Sequence, residues 1–198
     1  MLEIKDVCMS KGGKQLFCNQ SFVVKEGEII NVTGEKGCGK TSLLLAIMGM
    51  LPIDSGYITV DGELLTVDSA ETFRTLMAYL PQNLLLPYAN ISDLIEDLSS
   101  LKSNKKRCSK EQLMTFWGEL GLDASLYDKN CSDVTMEVQR LIILSVFYFC
   151  PKPIVLVDEP MTMEECQLLR KISQQGSALI VTGQDNVCDK RLILKTEI

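Results

Sequence analysis

Residues 34 to 42, GEKGCGKTS, combine three glycines, two lysines and two hydroxyls at a spacing suited to a triphosphate. The glycines let the main chain close around an anion, so its N–H groups converge on phosphate oxygens. Lys40 is expected to reach the terminal phosphates, and the Thr41 hydroxyl to meet a magnesium ion. The cofactor-binding candidates are Gly34, Glu35, Lys36, Gly37, Cys38, Gly39, Lys40, Thr41 and Ser42. An apolar strand leads into the loop and an apolar helix leads out, which adds the positive end of a helix to the site. A second stretch, PIVLVDEP at 153 to 160, is a continuous apolar strand ending in two acids. A strand of that kind has both faces covered in a parallel sheet. Asp158 would then emerge beside the phosphates as a metal ligand through water, and Glu159 could orient or deprotonate an attacking water. The chain has no histidine, so no imidazole is available for that work.

The 198 residues, 46% of them apolar, suffice for one compact domain with a real core. A net charge of −6 leaves no excess of cations to neutralise a polynucleotide, so no nucleic-acid partner is expected and any phosphate site must be local. The longest apolar run, LIILSVFYFC at 141 to 150, is half what a bilayer span needs, so the chain is expected to be soluble unless a partner holds it at a membrane. Eight cysteines lie scattered without a C-x-x-C pair. They read as free thiols in a reducing cytosol.

The elements that must position these groups follow an αβ rhythm. Strand-like runs at 2 to 7, 16 to 24 and 28 to 34 precede the glycine loop, and a helix over TSLLLAIMGM follows it. GYITVDGELL and LMAYLPQ read as further strands. Residues 89 to 135 turn polar, with the basic run KSNKKR expected as a solvated loop and a helix opened by a Ser109–Gln112 capping box. A helix through MEVQRLIILSVFYF leads to the acid-tipped strand. Beyond it come a helix from Thr162, with Glu165 at capping-box spacing, a strand SALIVTG and a last strand near RLILKT.

This order of elements, with GEKGCGKTS, AYLPQN, EVQR at 137 to 140 and IVLVDEP, resembles the nucleotide-binding subunit of ABC transporters over nearly the whole chain. The resemblance implies an α/β fold with a P-loop NTPase, RecA-like core, an antiparallel β-lobe and a short helical subdomain. It implies one domain over 1–198, in which 1–88 and 136–198 form core and β-lobe and about 89–135 the helical part. ATP and Mg²⁺ are the implied cofactors. Gln82, in the Q-loop position, is implied as a catalytic residue and as a metal ligand with Thr41 and Asp158. The implied partners are a transmembrane permease subunit and a second nucleotide-binding subunit, alike or different, at the cytoplasmic face of the membrane. Leu84, Leu85 and Leu86 follow Gln82 and are either a docking patch for the permease or a buried strand edge.

The sequence departs from the family pattern at four places. Lys11 stands where an aromatic ring would lie under adenine. DVTME, residues 133 to 137, replaces the glycine-rich signature, so Thr135 can offer a hydroxyl while Met136 adds bulk where close backbone approach is wanted. The Thr162 cap crowds the segment that links the two sites of a dimer. Gly183 and Gln184 replace the switch histidine, and Gln184 is the one side chain there able to donate a hydrogen bond. Two readings therefore stand: an ATPase driving a permease, slow by itself, or a cassette that binds ATP as a regulatory or asymmetric-dimer partner. A P-loop kinase or GTPase fits less well, because a helical insertion follows Gln82 and no N-K-x-D segment reads guanine.

Overall fold

A computed structural model describes residues 1–104, 106–160, 162–183 and 188–194. Four strands, β1 (Leu2–Lys11), β2 (Lys14–Val24), β4 (Ser55–Val60) and β5 (Glu63–Leu64), form an antiparallel sheet. Their order is β2-β1-β4-β5. Five others, β3 (Ile29–Thr33), β6 (Met77–Leu80), β7 (Ile154–Val157), β8 (Ala178–Thr182) and β9 (Lys190–Ile193), form a parallel sheet in the order β6-β7-β8-β3-β9. The helices are α1 (Lys40–Ile47), α2 (Ala70–Arg74), α3 (Ile91–Ser100), α4 (Lys110–Glu119), α5 (Met136–Phe149) and α6 (Met163–Gln174).

The parallel sheet is the middle layer, which explains why its strands read as unbroken apolar runs. Alternate residues point to opposite faces. Ile30, Val32, Leu156 and Ile180 join a core with α1 and the antiparallel sheet. Ile29, Val155, Val157, Leu179 and Val181 join a second core with α3, α4, α5 and α6. Helix α1 is therefore buried between two sheets, and Leu43, Leu44, Ala46 and Ile47 all lie inside. Helix α5 carries eight buried residues, Arg140 to Phe147, which explains the absence of a clear apolar stripe.

The Ser109–Gln112 capping box forms in full: the Gln112 amide donates to Ser109 Oγ at 3.2 Å and the Ser109 amide to Gln112 Oε1 at 3.3 Å. At the start of α6 the Glu165 amide donates to Thr162 Oγ1 at 3.2 Å, while the Glu165 carboxylate holds Arg140. The described part of KSNKKR is largely exposed. Among the described residues no helix is long and apolar enough to cross a membrane.

One expectation is corrected. Cys8 and Cys18 are joined as a disulfide, whereas Cys38, Cys108, Cys131, Cys150, Cys166 and Cys188 form no disulfide. The reason lies in register rather than spacing: β1 and β2 pair Met9 with Phe17, which sets the neighbouring cysteines across from one another with Cα atoms 3.9 Å apart. Closing a loop of this size stabilises a fold by about 3 kcal/mol through the unfolded chain. We therefore expect Cys18→Ser to lower the unfolding free energy by about that amount, and a thiol reagent to count six groups in denatured protein and eight after reduction. A count of eight without reductant rejects the bridge. Burial raises the Cys108 thiol to about 12, with Cys150 adding to the shift, so Cys108 should alkylate slowly in the native state at neutral pH.

Candidate functional site

All five strands of the parallel sheet run the same way, so the chain leaves β3, β6, β7 and β8 along one edge. Four loops meet there. Ligand sites of open α/β sheets lie at this edge because turns and helix ends present free backbone groups.

The loop after β3 is closed by contact rather than by side-chain packing. At Gly34 a Cβ would lie 2.6 Å from Cys38 Sγ and 2.7 Å from the Leu194 carbonyl, so no other residue fits without moving main chain. A Cβ at Gly37 would meet nothing within 4 Å, so the mouth of the loop is open. Lys40, first residue of α1, folds its ammonium back over the loop and donates to the carbonyls of Gly34 at 3.1 Å and Glu35 at 3.2 Å. A cation is therefore held over the loop beside a helix start. That arrangement fits a polyphosphate.

The next residue, Thr41, donates from Oγ1 to Asp158 Oδ2 at 2.7 Å. The other carboxylate oxygen, Oδ1, accepts from Thr182 Oγ1, the last residue of β8. Asp158 is 3% exposed and so keeps both oxygens fixed. A hydroxyl and a fixed carboxylate side by side form a hard oxygen corner suited to magnesium. No cluster of three His, Cys, Asp or Glu residues that could hold a metal exists among the described residues. The nucleotide and water would have to complete the ligand set. Tyr79, on β6, has its phenol raised to about 12, by burial first and then by the Asp158 charge, so it stays protonated.

Glu159 has φ 48, a left-handed conformation unusual for a side chain of this kind. Its amide donates to Thr182 Oγ1 at 3.0 Å, which helps to hold the turn. Its carboxylate accepts from Gln82 Nε2 at 2.6 Å. Gly183 packs against it, at φ 106, and a Cβ there would lie 3.1 Å from Glu159 Cγ. A histidine at position 183 would therefore be strained and would press on Glu159. Glycine at this position and the conformation of Glu159 belong together. Gln184 lies outside the described residues.

A cleft of about 1090 Å³ joins these parts: Gly34, Lys36, Gly37, Gly39, Lys40, Thr41 and Ser42 along one wall, Gln82, Glu159 and Gly183 along another. Lys11 and Leu16 from the β1–β2 hairpin close it on the antiparallel side. Of the residues expected in the site, Cys38 instead buries its side chain in the core, and Glu35 contributes its carbonyl to Lys40. Gln82 lies against Glu159 rather than in the Thr41–Asp158 corner. Thr135 is exposed at the start of α5 and makes no side-chain cap bond, so its hydroxyl is available to a neighbour. Leu84 and Leu86 pack against the core, whereas Leu85 is 95% exposed.

Two residues not expected at the site are central. Arg140 and Glu165, each 0% exposed, form an ion pair of 2.9 Å directly beneath the site. A lone arginine within the apolar helix sequence MEVQRLIIL was the available signal, since a charge so placed needs a partner.

The family model for ABC transporters matches residues 17–162. The chain belongs to the ABC transporter family. The ABC chain is 26% identical, over 98% of its length, to the ribose import ATP-binding protein RbsA of Bacillus licheniformis, of which it covers 43%. It is 28% identical, over 88% of its length, to the spermidine/putrescine import ATP-binding protein PotA of Mesoplasma florum, of which it covers 49%. It thus spans about half the length of these curated relatives, or less. A dimeric bacterial ABC transporter cassette superposes with a TM-score of 0.80 at 19% identity, covering 99% of this chain and 95% of that one. The α/β architecture with its antiparallel sheet is that of an ABC-type P-loop NTPase.

Proposed function

We propose that this ABC protein binds and hydrolyses Mg-ATP to drive a separate transmembrane subunit. The observation that carries the reading is the junction at the start of α1, where the Lys40 ammonium sits inside the loop and Thr41 joins it to Asp158. Gly34 to Ser42 would hold the phosphates, with Lys40 on the terminal ones. Thr41 and Asp158 would hold magnesium, and Gln82 would reach it once released from Glu159. Bound there, magnesium neutralises the phosphate oxygens and aligns the leaving group. Glu159 Oε2 would accept a proton from the attacking water or orient it. In the absence of a histidine, and with Gly183 leaving no side chain over Glu159, turnover by the chain alone is expected to be slow.

Calorimetry with Mg-ATP tests binding, and phosphate release under steady-state conditions tests turnover. No heat of binding rejects the nucleotide reading outright. Heat without turnover selects the regulatory or asymmetric-dimer cassette, a reading favoured by Met136 at the signature position and by Gly183.

The whole chain, 1–198, would act as one nucleotide-binding domain, with about 89–135 as its helical subdomain. A second nucleotide-binding subunit would supply its signature segment across the cleft, and Thr135 would serve its partner in return. We place the protein at the cytoplasmic face of the membrane, held there by its permease. Leu85, 95% exposed and close in sequence to Gln82, would lie on the docking side. Leu85→Glu is expected to reduce co-purification with the permease about tenfold or more without changing nucleotide affinity. Undiminished recovery of the membrane protein would remove Leu85 from the interface.

A further inference from the structure

Arg140 sits in the second turn of α5 with its side chain fully buried, and its guanidinium reaches three other segments at once. Nε donates to Glu165 Oε1 at 2.9 Å and Nη2 to Glu165 Oε2 at 3.3 Å, so the pair is bidentate. Nη1 donates to the carbonyls of Pro81 and, at 3.3 Å, Gln82. Nη2 is also 3.4 Å from the carbonyls of Asp158 and Glu159. The four carbonyls belong to the first residues beyond β6 and β7, adjacent strands of the sheet. At such strand ends the ladder stops and carbonyls lose their partners, so a planar five-donor group is the one side chain able to serve all four.

We propose that Arg140 is a positioning residue for hydrolysis: by gripping the main chain of both Pro81–Gln82 and Asp158–Glu159, it sets the distance between the Gln82 amide and the Glu159 carboxylate. Glu165 fixes the rotation of the guanidinium plane and ties the grip to α6. The two side chains so placed touch at 2.6 Å. The bond from Gln82 occupies one acceptor site of that oxygen and makes it a weaker base toward water. Movement of the segment after Gln82, where Leu85 is exposed, would release Glu159 only as far as the grip on the carbonyls permits. Arg140 thereby converts displacement at a docking surface into availability of a base, without touching nucleotide.

The inference rests on the proposed hydrolysis, and the test separates the two. Arg140→Lys retains the charge opposite Glu165 but cannot span four carbonyls with three donors on one nitrogen. With a melting temperature within a few degrees of wild type, it should lower kcat at least tenfold with KM unchanged. ADP affinity without magnesium should change less than twofold, because the Lys40 loop is untouched. Amide exchange at Gln82 to Leu86 should quicken at least tenfold, a readout that does not require turnover. Wild-type exchange in that segment together with wild-type kcat would overturn the proposal. Should Arg140→Lys fail to fold, Glu165→Gln keeps one acceptor oxygen for Arg140 and removes the charge and the second acceptor. It should quicken exchange of the same amides at least threefold, and unchanged exchange there counts equally against the idea. A wild-type protein that binds ADP but shows no turnover defeats the hydrolysis reading, and the exchange comparison still decides on the grip.

Discussion

Lys40→Ala is expected to weaken Mg-ATP binding by a factor of 10² or more while leaving the fold in place. In the structure the ammonium donates to two carbonyls of its own loop, Gly34 and Glu35. Those carbonyls face the open cleft, so water replaces the lost donor at little cost to stability. A bound triphosphate loses more. Charge-assisted hydrogen bonds are worth about 1.5–3 kcal/mol each, and a lysine meeting two phosphates gives up roughly 3–4 kcal/mol, which at 1.4 kcal/mol per decade is a few hundredfold. Calorimetry and a thermal melt check the two halves separately. A dissociation constant within threefold of wild type would mean that the loop holds its anion by backbone alone, and a melting temperature lowered by more than a few degrees would mean that the ammonium supports the fold.

What was legible in the chain was whatever a local pattern encodes. The glycine loop, the acid-tipped strand and the Ser109–Gln112 cap depend on neighbours a few residues away, so spacing was enough to find them. The core strands are legible as unbroken apolar runs, because both faces of the parallel sheet are covered. Features that depend on register or on side chains meeting across segments were not. Cys8 and Cys18 meet because β1 and β2 pair as they do. Glu165 was read as half of a cap, and the Thr162 half is present, but the buried guanidinium of Arg140 claims its carboxylate. Gln82 is expected as a catalytic residue and a metal ligand, and its contact with Glu159 joins residues 77 apart, which spacing cannot reveal. The missing histidine was read as a loss. At Gly183, φ 106 strains any side chain and a Cβ would press on Glu159.

Glu159→Gln is expected to lower turnover by about 10²–10⁴, the range for a positioned acid or base, with nucleotide affinity within threefold of wild type. The substitution is nearly isosteric, and the turn that holds residue 159 is set by its amide bond to Thr182 and by Gly183 rather than by the carboxylate. The Gln82 amide can still donate to the new side-chain oxygen, so the local contact survives while the basicity does not. Stability should therefore barely move, and a rate loss can be assigned to chemistry. Removing a negative charge from a cleft meant for phosphates can only favour the anion, so any change in affinity should be a tightening. The comparison with Lys40→Ala then discriminates between the two readings of the protein. An enzyme loses turnover in both variants but binding in only one. A regulatory cassette shows the same loss of binding with Lys40→Ala, yet whatever slow phosphate release its preparation displays is indifferent to Glu159. Single-turnover phosphate release at saturating Mg-ATP is the decisive measurement, because it is blind to product dissociation, and an unchanged rate in Glu159→Gln would remove this carboxylate from the reaction.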